Sequence, residues 1–435
     1  MRKVQAVVIG GWSAGLSAAV TLKKNHVDDI LVIEKDEEPG GILQQCIHNG
    51  FGLQTFHEQL SGPAYAERFI RMAADAGVRI LLNTMVTKLG ADRVVEYVND
   101  EEGYVKIQAD VVILAVGCYE RPRGGINIMG TRSAGIFTAG QAQRYLNIDG
   151  YLVGKKVFIL GSGDIGLIMA RRMTLEGAKV FGVAEIMPYS NGLPRNIRQC
   201  LEDFDIPLYL SHTVTRVFGK DRLEKIELSQ VDEKKNPIPG SEQYFEVDTL
   251  LLSVGLIPEN HLADKAGILM DPATKGPIVD DRYMTSVEGI FACGNGLHVH
   301  DLVDYVTIQA AKAAEGAAEY LNRRTGKTYD SIGETSPEAG QDKDKGTNTI
   351  RIRNGNQVSY CVPSILHTDD PVDKLTVYFR VRNPIGDAGI VIRAGDHVIR
   401  TIKKKKLIPS VMEEALLLEK DIKGLSEDVT IEVAK

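Results

Sequence analysis

The amino-acid sequence predicts an α/β fold with two Rossmann-like dinucleotide-binding domains, followed by a C-terminal domain of mainly antiparallel β-strands. Two observations predict the first part. A strand, a glycine turn, a helix and a second strand open the chain, and the same order returns with Gly161 in place of Gly10, an offset of 151 residues. The third observation is that the last ~85 residues alternate apolar and polar side chains between turn signals, which is typical of antiparallel strands.

The first unit starts with the apolar run 4–9, which predicts a strand. A glycine-bearing turn at 10–15 follows, and the Ala- and Leu-rich stretch 16–24 predicts a helix. The next strand, 30–34, ends on Glu34. This order of elements is a βαβ opening.

The second unit repeats this order. A strand is predicted at 156–160, a turn at 161–166, a helix at 167–176 and a strand at 179–185. In both units 19 residues separate the last turn glycine from the acidic residue that ends the second strand. The shared register predicts two domains of similar build.

Three later segments complete the predicted α/β core. The apolar runs 109–117 and 247–255 each end in glycine, and uninterrupted apolar runs favour parallel strands covered on both faces. The segment 289–295 leads into an Ala-rich helix at about 301–323. Within it, Asp301 and Asp304 have the spacing of an N-cap residue and an acid at the third helical position.

Composition excludes several classes of protein. The 51 Lys and Arg against 58 Asp and Glu give a net charge of −7, which argues against nucleic-acid binding. The longest apolar runs fall well short of the ~18 residues that a transmembrane helix needs. The basic run 403–406 is interpreted as a solvated hairpin or edge strand.

The five cysteines are an odd number and include no C-x-x-C pair. This excludes a thioredoxin-type dithiol motif and a cysteine-rich zinc cluster, so no metal site is predicted. Cysteine usage of this kind suits a reducing compartment, and we expect a cytoplasmic protein.

The second glycine turn satisfies G-x-G-x-x-G in full. In such a turn the first glycine makes the tight turn, the second lets the backbone approach a pyrophosphate, and the third lets helix and strand pack closely. Glu185 is expected to bond the adenosine ribose and to repel a 2′-phosphate, which favours NAD(H) over NADP(H). The alternative is that Glu185 is a solvated strand end.

The first glycine turn departs from the pattern, because Trp12 stands where the middle glycine belongs. Three interpretations are open. The loop could shift so that Gly11 takes over the role of the middle glycine. The indole could swing away, so that the nucleotide still binds, or the site could have lost its cofactor.

Taken together, these motifs resemble the two-dinucleotide flavoproteins of the pyridine nucleotide-disulfide oxidoreductase superfamily, which have a glutathione-reductase-like fold. The resemblance covers about residues 1–325. Four segments also resemble a bacterial subgroup of NAD(P)/FAD-dependent oxidoreductases that is associated with glycerol-3-phosphate dehydrogenase-like subunits, namely 39–52, 138–141, 161–172 and 294–304. This subgroup is similar to the flavoprotein subunits of opine oxidases and hydrogen cyanide synthase.

The resemblance implies a discontinuous FAD-binding domain at 1–118 and 258–326 and an NAD(H)-binding domain at 119–257. The polar segment 327–347, rich in Gly, Ser, Asp and Lys, predicts a linker, and the alternating strands beyond it predict the β domain at 348–435. By position, the residues expected to contact FAD are Gly10, Gly11, Ser13, Ala14, Gly15, Glu34, Lys35, Gly41, Gly117, Gly294, Asn295 and Val303. Those expected to contact NAD(H) are Gly161, Gly163, Asp164, Ile165, Gly166, Glu185 and Gly255.

Three residues are catalytic candidates by the same resemblance. Cys46 lies close to where relatives carry redox-active cysteines, but without a second cysteine nearby it is either a single redox thiol or a buried structural one. His48 and His300 are candidate proton donors near the flavin, with a structural role as the alternative for each.

The leading hypothesis is an FAD- and NAD(H)-dependent oxidoreductase that serves as the electron-transfer subunit of a multisubunit dehydrogenase. Its expected partners are an FAD-dependent, glycerol-3-phosphate dehydrogenase-like or opine and amino-acid dehydrogenase subunit and a small accessory redox protein, in an oligomer. One alternative is a self-contained NADH oxidase or peroxidase that uses Cys46. Another is a nucleotide-binding scaffold whose FAD site is disabled by Trp12.

Overall fold

The computed structural model forms two compact units. One comprises Met1–Cys118 together with the chain from Pro258 onward, and the other comprises Tyr119–Ile257. The structure describes residues 1–326, 328–329, 335–336 and 348–434. The predicted linker, 327–347, lies outside the described residues except for the short paired strands Thr328–Tyr329 and Thr335–Ser336.

The first unit is built around a seven-stranded sheet. Its strands, in spatial order, are Arg79–Leu81, Ile30–Ile33, Arg2–Ile9, Gly103–Leu114, Val94–Asn99 and Met85–Leu89, with Ile290–Ala292 also paired to Gly103–Leu114. The pairs formed by Arg2–Ile9 are parallel, and Val7 and Val8 at its centre are fully buried. The continuous apolar runs predicted this burial on both faces.

Helices cover this sheet and connect its strands. They are Ser13–Lys24, Gly62–Asp75, His261–Lys265 and Val303–Thr325, with short 3₁₀ turns at Gly41–Gln45 and Gly294–Gly296 and a two-stranded ribbon of Asn49–Phe51 and Leu60–Ser61. Ser13–Lys24 packs against Val303–Thr325, where the Ser17 hydroxyl donates to the Thr307 carbonyl at 2.8 Å. The last helix thus lies beside the first glycine turn.

The second unit has a five-stranded parallel sheet and a smaller sheet. The parallel strands, in spatial order, are Ile136–Thr138, Thr249–Leu252, Lys156–Leu160, Lys179–Glu185 and Leu208–Leu210. The smaller sheet contains Met129–Gly130, His212–Phe218, Lys225–Gln230 and Gln243–Phe245. Helices lie at Ala139–Asn147, Asp164–Leu175 and Pro194–Cys200, with 3₁₀ turns at Arg123–Gly125 and Glu202–Phe204. Short strands at Cys118–Glu120 and Leu256–Pro258 bound the unit in sequence.

The C-terminal part of the first unit consists of two sheets that share one apolar core. One has the spatial order Ile365–His367, Thr349–Asn354, Val429–Ala434, Ile385–Ala394 and His397–Leu407, and the other has Val358–Val362, Lys374–Val381 and Glu413–Leu418. All of these pairs are antiparallel except Thr349–Asn354 with Val429–Ala434. A short helix, Glu419–Ile422, follows the last of these strands. The predicted fold class is confirmed, and the basic run 403–406 lies on an edge strand.

Candidate functional site

The first glycine turn is held by Glu34, which is only 1% exposed at the end of its strand. One carboxylate oxygen accepts the Gly11 N–H at 2.6 Å, and the other accepts the Asp36 N–H at 2.9 Å. Burial raises the pKa of this carboxyl, while the two backbone hydrogen bonds oppose that shift. The acidic residue therefore fixes the turn as well as lining the space beyond it.

The second glycine turn is held in the same way by Glu185. Its Oε2 accepts from the Ser162 N–H at 3.1 Å and the Ser162 hydroxyl at 2.6 Å, and its Oε1 accepts from the Met187 N–H at 3.0 Å. Glu185 is 4% exposed. The interpretation of this residue as a solvated strand end is therefore wrong.

Each turn borders a cavity in its own unit. The first cavity has a volume of about 340 Å³ and is lined by Ile9, Gly10, Trp12, Ile33, Glu34, Lys35, Thr84, Met85, Val86, Thr87, Ala115, Val116, Glu259, His261, Leu262 and Lys265. The second has about 520 Å³ and is lined by Arg121, Ile126, Ile128, Leu160, Gly161, Gly163, Glu185, Ile186, Met187, Asn191, Thr213, Val214, Ser253, Val254 and Gly255. Both combine a turn backbone, a buried carboxylate and apolar walls, which suits a nucleoside joined to a diphosphate.

The outer glycines of both turns are required by the protein itself. A Cβ at Gly15 would collide with the Gly10 carbonyl oxygen, and one at Gly166 would lie 2.6 Å from the Gly161 carbonyl oxygen. Gly10 and Gly161 adopt φ angles of +107° and +99°, a region that side chains disfavour. These four glycines permit the close packing of helix and strand that the sequence predicted.

The middle position of the second turn is different. A Cβ at Gly163 would meet no atom closer than the Ser253 hydroxyl oxygen at 3.5 Å, which is ordinary contact. The fold alone would therefore accept a small side chain here. Glycine at this position leaves room for something that approaches the turn from outside, as a pyrophosphate does.

In the first turn the indole of Trp12 takes the middle position. It lies directly against Gly41, where an added Cβ would collide with the ring, and a Cβ at Gly117 would lie 3.6 Å from Cζ3. Gly11 keeps the register of Ser162, since both donate their N–H to the strand-end glutamate. The interpretation in which the loop shifts so that Gly11 takes over is therefore wrong, and the indole covers two glycines expected to contact FAD.

Other residues expected to contact FAD surround the same turn. Ser13 and Ala14 are buried at the start of the first helix, and a Cβ at Gly294 would lie 3.0 Å from that of Ala14. Lys35 is exposed and lines the first cavity. Gly294 therefore packs closely against the N-terminus of the first helix. This close packing agrees with the prediction that both segments contact FAD.

Asn295 is engaged by its own surroundings. Its Oδ1 accepts the His300 N–H at 3.0 Å, and its Nδ2 donates to Cys118 Sγ at 3.6 Å. Asparagine can make both bonds because its amide carries an acceptor and a donor, whereas an aspartate carboxylate only accepts. Among the described residues, these are the two hydrogen bonds that the Asn295 side chain makes.

The long helix begins at Val303, with Leu302 as its N-cap residue. The expectation that Asp301 is the N-cap is wrong, because Asp301 is instead ion-paired with Arg380. Asp304 is 1% exposed and accepts backbone N–H groups of Gly52 at 3.0 Å and Thr55 at 2.8 Å. It therefore fixes the loop that follows Cys46 and His48.

In the second unit, Asp164 opens the helix after the turn. Its Oδ1 accepts the Leu193 N–H at 2.8 Å and the Asn196 side-chain amide at 2.6 Å. The Gly166 N–H donates to the Ser253 hydroxyl at 3.1 Å, next to Gly255. The predicted NAD(H) contacts Gly161, Gly163, Asp164, Ile165, Gly166, Glu185 and Gly255 thus lie around the glycine turn and its two neighbouring strand ends.

Cys46 and His48 lie in the segment between the Gly41–Gln45 turn and the strand Asn49–Phe51. Burial raises the pKa of the Cys46 thiol to about 12, so it is protonated at neutral pH. His48 Nδ1 lies 3.2 Å from the Asn49 carbonyl oxygen, and its ring centroid is 5.0 Å from that of Phe51. The thiol has the character of a structural cysteine.

His300 is buried together with His298, with their ring centroids 4.2 Å apart. Gln309 joins them: its amide donates to His298 Nε2 at 2.7 Å, and its Oε1 accepts from His300 Nε2 at 3.0 Å. Burial lowers the pKa of His300 to about 4 and that of His298 well below its usual range. Both rings are neutral at physiological pH, which favours the structural alternative for His300.

Sequence reasoning missed Asp304 as an anchor, and it missed Gln309 and Arg380 altogether. The Gln309 Oε1 also accepts the Gly294 N–H at 2.9 Å, so it connects the turn at 294 to the histidine pair. A glutamine inside an Ala-rich helix gives a weak local signal, because its partners come from another segment.

Comparison with known proteins identifies the family and several relatives of this chain. The family model described as pyridine nucleotide-disulphide oxidoreductase matches residues 4–318. A NADH oxidase of Methanocaldococcus jannaschii is 26% identical over 332 residues, which cover 72% of this chain and 67% of the relative. Hydrogen cyanide synthase subunit HcnB of Pseudomonas protegens is 22% identical over 328 residues, covering 71% and 67%.

Among solved structures, thioredoxin reductase of T. acidophilum superposes with a TM-score of 0.61 at 23% identity. The match covers 73% of this chain and 99% of that one, and it shows the shared two-domain fold. In the part of the chain that the structure describes, no helix is long and apolar enough to cross a membrane.

Proposed function

The chain belongs to the pyridine nucleotide-disulphide oxidoreductase family and is an FAD- and NAD(P)-dependent oxidoreductase, and from this premise we propose that it binds FAD in the first unit and NAD(H) in the second. The observation that carries the proposal is the matched pair of strand-end carboxylates. Glu34 and Glu185 bond equivalent backbone N–H groups at the same offset and border a cavity in each unit.

In the first unit Glu34 would bond the adenosine ribose and the backbone at Gly10 would face the pyrophosphate. The N-terminus of the helix that begins at Val303 carries about half a positive charge, which favours negative charge on the reduced flavin. When bound, FAD accepts or donates a hydride equivalent and the nicotinamide supplies or receives it.

We propose NAD(H) rather than NADP(H) for the second unit. Glu185 is buried and lines the cavity, and Arg121 is the one basic residue among the described lining residues. A carboxylate bonds the two ribose hydroxyls but repels a 2′-phosphate.

We further propose that the chain is an electron-transfer subunit, which passes electrons between NAD(H) and an FAD-dependent partner subunit of the glycerol-3-phosphate or opine and amino-acid dehydrogenase type. Two observations support this. HcnB is by its name a subunit of a larger enzyme. In addition, burial raises the pKa of the Cys46 thiol to about 12, which disfavours Cys46 as a redox-active thiolate.

Anaerobic titration of the FAD-loaded protein with NADH tests the proposal. We expect NADH to bleach the visible flavin absorbance, NADPH to do so far more slowly, and turnover with oxygen or peroxide alone to be slow. Protein that shows no flavin absorbance after incubation with FAD would overturn it.

A self-contained NADH oxidase or peroxidase is the second candidate, because a relative at 26% identity carries the name NADH oxidase. Rapid NADH consumption with oxygen or peroxide, without any partner protein, would favour this candidate over the electron-transfer subunit.

A further inference from the structure

The segment from Gly294 to Val303, here called the 294–303 loop, is hydrogen-bonded to the long helix and within itself. The Gly294 N–H donates to Gln309 at 2.9 Å, and the His300 N–H donates to Asn295 at 3.0 Å. This loop carries three of the residues expected to contact FAD, so whatever holds it also sets the position of those contacts.

The C-terminal β domain, residues 348–434, also bonds this loop directly. Arg380, on the strand Lys374–Val381, is ion-paired with Asp301 and donates to the Val299 carbonyl at 3.2 Å. The second carboxylate oxygen of Asp301 accepts the Met412 N–H at 2.6 Å. Both oxygens of Asp301 are therefore bonded by the β domain.

The same domain covers the buried histidines of the loop. The ring of Tyr378 lies 5.6 Å from those of His298 and His300, and the ring of Tyr360 lies 6.0 Å from that of His298. The Nδ1 atoms of both histidines are buried and make no hydrogen bond with the described residues. The side chains of Arg380 and Asp301 are only 19% and 17% exposed beside these rings, and the lower local dielectric constant strengthens their ion pair.

We propose that the C-terminal β domain is an integral part of the FAD site and that Arg380 is its positioning residue. Through Asp301 and Val299 it fixes the 294–303 loop and hence Gly294, Asn295 and the start of the helix at Val303. The inference deepens the proposed function and rests on it for the identity of the ligand.

The test uses the 435-residue chain with one variant at Arg380 and one control variant elsewhere in the same domain. Arg380→Met removes the charge and keeps the apolar stem. Asp370→Asn is the control, because Asp370 belongs to the same domain and pairs with Arg282, which lies outside the loop. FAD affinity is measured by quenching of FAD fluorescence, and hydrogen exchange of the 294–303 amides is measured without FAD.

We expect Arg380→Met to weaken FAD binding about tenfold and to speed exchange at Gly294 and His300, while Asp370→Asn stays within about twofold of the wild type. Asp301→Asn should also weaken FAD binding, and combining it with Arg380→Met should cost less than the sum of the two, because both variants remove the Arg380–Asp301 ion pair. Equal behaviour of Arg380→Met and Asp370→Asn in both measurements would overturn the proposal.

Two other results need separate treatment: an Arg380→Met variant that does not fold, and a wild-type chain that binds no FAD. Should Arg380→Met not fold, Arg380→Lys takes its place, since a lysine keeps the charge but lacks the planar fork; faster loop exchange supports the proposal and unchanged exchange overturns it. A wild-type chain that binds no FAD overturns the proposed function, and the positioning role then stands or falls on the exchange of the loop amides alone.

Discussion

The two glycine turns of this chain share one framework and differ at one residue. In each, a buried glutamate at a strand end bonds the N–H that follows the first glycine, and the outer glycines permit tight packing. At the middle position Gly163 leaves free space, whereas Trp12 fills it and covers Gly41 and Gly117. The comparison separates two demands on the motif: the outer glycines serve the fold, and the middle glycine serves the ligand.

Gly163→Trp would make the second turn resemble the first, and it should have the largest effect. Because an added Cβ at Gly163 would meet no atom closer than the Ser253 hydroxyl oxygen at 3.5 Å, we expect Gly163→Ala to fold like the wild type, whereas the much larger indole of Gly163→Trp should block the diphosphate. An overpacking cost of about 3 kcal/mol corresponds to roughly a hundredfold loss of NADH affinity. NADH binding and thermal unfolding are measured together, with Gly163→Ala as the milder control. A loss of folding with Gly163→Ala would contradict the separation.

Gly15→Ala tests the opposite demand. The new Cβ would collide with the Gly10 carbonyl oxygen, and backbone cannot move aside easily, so we expect the first unit to lose about 1–3 kcal/mol of stability. The urea midpoint of unfolding measures this. Gly166→Ala is the matched variant and should cost less, since one of its close contacts is the Ser253 side chain. Equal stability of Gly15→Ala and the wild type would refute this reading.

Trp12→Gly should make the first turn resemble the second. Removal of the indole uncovers Gly41 and Gly117, and we expect FAD affinity to rise about tenfold. Titration of FAD into the apoprotein measures the change, and Trp12→Phe, which retains a ring, should bind like the wild type. If Trp12→Gly binds FAD less tightly, the indole is itself part of the flavin site.

Glu185→Gln tests whether Glu185, unlike the equivalent Glu34, determines the preference for NADH over NADPH. Loss of the negative charge should shift the preference for NADH over NADPH by about threefold toward NADPH. The measurement is the ratio of kcat/KM for the two nucleotides. Glu34→Gln removes the equivalent negative charge in the first unit and should leave that ratio unchanged.

Cys46→Ser should have the smallest effect. With its pKa raised to about 12, the thiol does not ionise between pH 6 and about pH 9, so NADH consumption and its pH profile should not change. Cys200→Ser, a buried thiol of the second unit, is the control. Loss of peroxide-dependent turnover in Cys46→Ser alone would establish the cysteine mechanism instead.

Spacing located Glu34 and Glu185 because a strand, a tight turn and a helix together fix how far along the chain the next strand ends. The sequence indicated that both glutamates lie beside a glycine turn, but it did not indicate which backbone N–H groups each carboxylate binds. Trp12 was recognised as the departure from the motif, but its contact with Gly41 depends on a loop that has no regular pattern.

The partner of Asp301 could not be predicted from the neighbouring sequence. Its spacing from Asp304 is that of a helix cap, yet its partner Arg380 lies 79 residues further along the chain. An aspartate near a helix start can accept hydrogen bonds from any donor brought close in space. The packing of the C-terminal sheets against the 294–303 loop decides which donor is present, and no periodicity in the sequence encodes it.

The sheet of the first unit has a consequence for how the chain matures. Its strand Gly103–Leu114 pairs with Ile290–Ala292, and the helix Val303–Thr325 packs on Ser13–Lys24. On the ribosome, where chains lengthen by about 5–20 residues per second, the second unit is complete before these partners have been synthesised. The sheet of the first unit therefore stays incomplete while the second unit is being synthesised. The C-terminal β domain is synthesised after the strand and helix that complete the first unit.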